Sequence, residues 1–276
     1  MCGTENLTLQ KQINEIDTEL YNLLMKRTEL VKQQPENAVE NTLGKEAAII
    51  KMLLKNHKSD FPEYVIAKIW REILSASAGL KEKLKISVFA KDDDDALIRI
   101  IQEHFGSYID YVTYNSFGAV MNELSSHNTC LAVIPCDNAA INAKPWWAGF
   151  SASDTADSLR IVAKLPFLRN KEDKDCEEAY VVALSPTDQS GSDISLVNVE
   201  THKDISASTV VENLENSGFT EAKVVRVANV DDETKFCLVE VNGYITPDKS
   251  CVRNAEKIEI FKKINIVGTY AKPIVL

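Results

Sequence analysis

LTLQKQINEIDTELYNLLMKRTELVKQQ, residues 7–34, is the stretch that decides how the first third of the chain folds. Leu9, Ile13, Ile16, Leu20, Leu23, Leu24, Leu30 and Val31 recur every three or four residues, the spacing of one face of an α-helix. Pro35 ends it, because proline lacks the N–H and clashes with the preceding turn. At ~1.5 Å per residue this helix is about 42 Å long. The polar run PENAVENTLG (35–44) reads as a loop, with Asn41 and Thr42 suited to cap a second helix over 43–56. Asp60, Pro62 and Glu63 then open a third helix to about Lys83, with Val65, Ile66, Ile69, Trp70, Ile73, Leu74 and Ser77 on one face. Two shorter helices cannot cover so long an apolar stripe. Its outer part needs a partner, most simply a second copy in a symmetric homodimer.

After Lys85 the period changes. KISVFA (85–90), IDYVTY (109–114), TCLAVIP (129–135), LRIVAKL (159–165) and AYVVAL (179–184) read as strands, and DALIRIIQEHF (95–105) and FGAVMNEL (117–124) as helices. Such alternation predicts an α/β layer. DDDD (92–95) suits a helix start, where the dipole favours negative charge. SPTDQSGSD (185–193) has linker composition. Beyond it the order is β-α-β-β-α-β: strand 194–200, helix 207–218, strands 222–229 and 235–243, a helix around 250–262 and strand 264–270. That is the ferredoxin-like split βαβ arrangement, an α+β fold. The boundaries fall at 1–84, 85–187 and 193–276.

Composition narrows the function. The chain has 276 residues, 45% of them apolar and 26% charged, with a net charge of −10. The acidic balance argues against nucleic acid as a partner, which requires a basic face. Residues 1–85 carry 13 basic and 12 acidic groups, so this near-neutral third is the better host for an anionic ligand. The six cysteines, Cys2, Cys130, Cys136, Cys176, Cys237 and Cys251, form no C-x-x-C pair and read as reduced, mostly buried thiols. His57, His104, His127 and His202 lack metal-ligand spacing. No run approaches a membrane span and no basic-then-apolar signal opens the chain, so a cytoplasmic, soluble protein is expected.

Four segments, LQKQINEID (9–17), LLMKRTELV (23–31), GKEAAII (44–50) and IWREILSAS (69–77), resemble the all-helical (type II) class of bacterial chorismate mutases. LAVIPCDN (131–138) and NIVGTYAKPIV (265–275) look like parts of a prephenate dehydratase and of an ACT-like domain, the order found in bifunctional P-proteins. The resemblance implies three parts: an all-α three-helix mutase domain forming an intertwined dimer, a reduced dehydratase-like α/β lobe, and an ACT-like domain. The dehydratase Thr-Arg-Phe motif is missing and the glycine-rich opening is replaced by ISVFAKDDDD, so dehydratase activity is not expected. DISASTVV (204–211) and VANVDD (227–232) replace the usual effector-loop segments, which leaves the ACT-like part as a dimerising or tethering module.

The implied reaction, chorismate to prephenate in aromatic amino acid biosynthesis, is a unimolecular rearrangement. It needs a dianion held in a compact conformer and positive donors at the ether oxygen, with no metal and no cofactor. By resemblance Arg27 binds a substrate carboxylate, Glu46 meets the ring hydroxyl, and Lys81 faces the ether oxygen where the family has Gln. Lys45 stands for an Arg, Ser77 for a small polar residue, and Gln10 for the Arg that a partner chain contributes. The family's ether-oxygen Lys falls on Ala38. These departures leave an alternative open: a non-catalytic binding or regulatory protein on the same scaffold. From the residues alone, Arg27 also suits a snorkelling stem, Lys45–Glu46 capping electrostatics, and Lys81 a solvated helix end. Arg71–Glu72 suits an exposed pair or interhelix contact, Trp70 the core, and Trp146–Trp147 packing or a ligand wall.

Overall fold

The computed structural model describes residues 2–34, 42–80, 84–90, 94–107, 109–136, 145–150, 158–171 and 177–276, with side chains described from Leu7 and, in the second helix, from Leu43. Three helices lead: α1 (Cys2–Lys32), α2 (Thr42–Asn56) and α3 (Glu63–Ala78). Then follow β1 (Lys85–Phe89), α4 (Asp95–Phe105), β2 (Asp110–Tyr114), α5 (Phe117–Ser125), β3 (Leu131–Pro135), β4 (Leu159–Leu165), β5 (Leu168–Arg169) and β6 (Ala179–Leu184). The last third holds β7 (Asp193–His202), α6 (Ala207–Asn216), β8 (Lys223–Asn229), β9 (Thr234–Asn242), α7 (Ser250–Ala255), β10 (Phe261–Ala271) and β11 (Ile274–Val275).

Among the described residues, nine strands form one sheet in the order β2-β1-β3-β6-β4-β10-β7-β9-β8. β1 lies parallel between β2 and β3, the arrangement helices α4 and α5 require as crossovers. β10-β7-β9-β8 are antiparallel neighbours, with α6 and α7 as the two connecting helices. The sheet runs across the stretch that reads as a linker, because β4 pairs with β10 at Ile161 and Gly268. Glycine is required there: a Cβ on residue 268 would stand 2.2 Å from the Ile161 carbonyl oxygen. A polar cluster ties the same seam. Lys164 reaches Glu240 at 2.9 Å and Glu178 at 3.1 Å, and the Tyr270 hydroxyl donates to Glu240 at 2.7 Å.

Residues 185–192 are held rather than loose. Ser190 donates its N–H to Asp193 at 3.0 Å, and Lys51 of α2 donates to the Ser192 carbonyl at 2.7 Å. Helices α7 and α3 end earlier than expected, and α1 begins earlier, at Cys2. α7 covers only Ser250–Ala255, and residues 256–260 turn into a β10 that begins at Phe261. α3 ends at Ala78, where the Gly79 N–H closes onto the Ser75 carbonyl at 3.0 Å. Cys136, Cys237 and Cys251 are buried, whereas Cys130 is exposed. Trp146 and Trp147 are packing residues, buried with Phe117, Phe150 and Tyr180.

The α2–α3 hairpin lies against α4 and the edge of the sheet. Ala47, Ile50, Ala67 and Leu74 close over Phe167. Polar bonds fix the rest: Glu72 accepts from both the N–H and the hydroxyl of Ser107 at 3.1 Å, and the Ser75 hydroxyl donates to the Phe105 carbonyl. α1 is different. Leu9, Ile13, Ile16 and Leu20 are all at least half exposed, Leu20 at 60%. Val65 and Ile69 on α3 are exposed too, so part of the face that reads as core is open in the single chain.

Candidate functional site

Three helices converge near their α1 C-terminal, α2 N-terminal and α3 C-terminal ends. Arg27 of α1, half-buried, donates a hydrogen bond to the Ser77 hydroxyl of α3. Glu46 of α2 accepts from Arg71 of α3 at 3.0 Å, a pair whose side chains keep 12% and 4% of their exposure. Burial pushes the Glu46 carboxyl above its usual range, and the positive charges of Arg71 and then Arg27 pull it back part of the way. Arg27 therefore acts on Glu46 electrostatically while it bonds Ser77, which ties the three helices into one polar cluster.

Arg71 is the residue that sequence reasoning undervalued. It does not pair with Glu72, which bonds Ser107 instead. Arg71 is 3% exposed, stacks its guanidinium 5.3 Å from the centre of the Phe167 ring and holds Glu46. A signal for this was present. Ala67, Arg71 and Leu74 fall at i, i+4 and i+7 on one helix face, so burying the neighbours buries the arginine, and a buried cation requires a counter-ion.

The other expected residues are placed as follows. Lys45 is exposed at the α2 N-terminus and near enough to Asp188 to pull on its charge. Gln10 is exposed and donates to Asn14 at 3.1 Å within α1. Gln10 and Arg27, 17 positions apart, stand about 25 Å apart along the axis at ~1.5 Å per residue, so the two cannot meet at one site within one chain. Lys81 and Ala38 lie outside the described residues, as does Pro35.

Beside the cluster stands His104 of α4, buried against Phe105 and Phe167 with both ring nitrogens free of hydrogen bonds among the described residues. Burial, then the nearby Arg71 charge, holds its pKa well below the ordinary histidine value. Among the described residues no His, Cys, Asp or Glu cluster could hold a metal ion, and no helix is long and apolar enough to cross a membrane.

Comparison with known proteins adds to this geometry. Residues 9–82 match the family described as chorismate mutase type II. Over 139 residues the chain is 27% identical to the bifunctional chorismate mutase/prephenate dehydratase of Aquifex aeolicus (strain VF5), covering 47% of this chain and 38% of that relative. Among solved structures, a quorum-quenching acylase, GqqA, superposes with a TM-score of 0.46 at 12% identity over 69% of this chain and 95% of its own. The prephenate dehydratase of Arthrobacter aurescens in complex with L-Phe gives 0.44 at 11% identity over 70% and 92%, and that of Streptococcus mutans 0.42 at 15% over 70% and 100%.

Proposed function

We propose that the chorismate mutase type II domain at residues 9–82 makes this chain a chorismate mutase of aromatic amino acid biosynthesis, working in the cytoplasm as a homodimer, with chorismate as substrate and prephenate as product. The observation that carries the reading is the convergence of Arg27, Glu46 and Ser77 from three different helices into one polar cluster. Arg27 holds a substrate carboxylate and is oriented for it by Ser77. Glu46 accepts from the ring hydroxyl through the oxygen that Arg71 leaves free. Lys81 donates to the ether oxygen, where negative charge grows as the C–O bond breaks. Lys45 adds a point charge at the wall.

The chemistry asks for nothing more than confinement and positive charge. A preorganised donor at such an oxygen is worth about 2.7–4 kcal/mol, or roughly 10²–10³ in rate. The partner's α1 completes the cage: Gln10 lies about 25 Å from Arg27 along its own helix at ~1.5 Å per residue, and the open Leu9–Ile13–Ile16–Leu20 stripe needs a cover. The three parts function as a mutase domain (1–84), a reduced dehydratase-like lobe (85–187) and an ACT-like domain (193–276). Without a Thr-Arg-Phe motif the middle lobe carries no dehydratase activity.

One observation favours a second reading, a non-catalytic ligand-binding or regulatory protein of the same pathway. Glu46 is already engaged by Arg71, and a carboxylate so neutralised is a poorer acceptor for a hydroxyl. Incubating the purified full chain with chorismate separates the two. Prephenate formation that Arg27→Ala lowers roughly 10²–10³-fold supports the enzyme. Chorismate raising the melting temperature without turnover supports the binder.

A further inference from the structure

Next to the Arg71–Glu46 pair, on the face of α3 turned away from Ser77, lies a partly enclosed cavity of about 180 Å³ at the seam between the helical hairpin and the sheet. Ser75 and Ala78 face it, whereas Ser77 turns to Arg27; residues 75 and 77 stand about 200° apart at ~3.6 residues per turn. Its walls are mostly apolar, with Leu84, Phe105, Leu131 and Val162 among them, and two carboxylates, Glu46 and Asp188, look onto it. Asp188 Oδ2 is buried and makes no hydrogen bond among the described residues. The Asp188 backbone is locked against the start of α2: a Cβ at Gly44 would stand 2.8 Å from both its Cβ and its carbonyl oxygen. The acidic rim is therefore built into the packing.

We propose that this seam cavity is a binding site for a small monocationic amine, one ring or an equivalent aliphatic body carrying a primary ammonium on a short arm. The size fits, since an apolar cavity of ~150 Å³ already accepts benzene. The charge fits as well. Burial raises the carboxyl pKa of both Asp188 and Glu46, so each gains from an approaching cation. Lys45 draws Asp188 the other way from the rim and Asp193 adds to the raise, and Glu46 already shares its charge with Arg71. The unbonded Asp188 Oδ2 is consequently the anchor for the ammonium, and the apolar walls take the body. An anionic analogue would meet two carboxylates, and a neutral one would leave Oδ2 with a weaker partner.

Titration calorimetry of the full chain with phenethylamine, 2-phenylethanol and 3-phenylpropionate tests this. Saturable one-to-one binding of phenethylamine is expected, with 2-phenylethanol at least tenfold weaker and 3-phenylpropionate not bound. Asp188→Asn is expected to weaken the amine at least tenfold, and Ala78→Leu, which fills the cavity without touching charge, to weaken amine and alcohol together. Absence of amine binding, equal affinity for alcohol and amine, or binding that neither variant changes overturns the proposal. The readout is binding, so its failure is distinct from a failure of the mutase reading.

Discussion

Replacing Arg71 by methionine keeps most of the volume at the centre of the hairpin and removes its only buried cation paired to Glu46 among the described residues. Glu46, whose side chain is 12% exposed, would then lose the nearer of the two cations that act on it and keep only the charge of Arg27 among the described residues. Breaking one side of a buried pair costs about 3–5 kcal/mol, most of it the burden of the charge left behind. The stack on Phe167 adds to the loss, at about 2 kcal/mol for a cation so fully desolvated. The double variant Arg71→Met/Glu46→Leu removes both charges, so it is expected to recover more than half of the single-variant loss. Lowering the pH helps the single variant selectively, because the stranded carboxyl takes up a proton. Urea unfolding followed by helical circular dichroism at pH 7 and pH 4.5 measures all three effects. A loss below about 1 kcal/mol for Arg71→Met, or a double variant as unstable as the sum of the singles, would refute the reasoning.

Stability should fall as the pH drops below about 6.5, the ordinary histidine value, because the unfolded chain then binds a proton that buried His104 refuses; the slope contributed is at most about 1.36 kcal/mol per pH unit, and His104→Leu should flatten it in pH-dependent denaturation curves. Gly268→Ala should cost about 3 kcal/mol or more in the same assay, since a methyl group there collides with the backbone of Ile161 rather than with a side chain able to move. If the open stripe of α1 seats a second copy as proposed, Ile16→Glu should shift the protein from dimer to monomer in sedimentation velocity while leaving the sheet's circular dichroism intact.

The sequence carried most of the local structure. Asp95–Phe105, Leu159–Leu165 and Ala179–Leu184 fall on the residues their periodicity marks, because each runs between clear stop signals. Legibility faded where a long-range contact decides. Nothing in GTY announces that Gly268 must admit the Ile161 carbonyl and so join the two halves of the sheet. Linker composition at 185–193 concealed a segment pinned by Lys51 and Asp193, since serines and aspartates suit a fixed turn as well as a free chain. In the candidate site, Arg27, Glu46 and Ser77 stood out through resemblance to a known pattern. Arg71 reads beside Glu72 as an exposed pair or an interhelix contact, and it is the second, made to Glu46 while Glu72 turns to Ser107. Its burial follows from the helix face it occupies, and its counter-ion lies 25 residues away.

In the proposed mutase, Arg27 holds a carboxylate of chorismate in the helical cluster. The most direct measurement is kcat/KM for chorismate disappearance with prephenate quantified, comparing the purified chain with Arg27→Ala. Measurable turnover is expected, falling roughly 10²–10³-fold in the variant, the usual loss for one preorganised donor. Equal rates for the two proteins, or a rate no faster than chorismate alone in buffer, would contradict it.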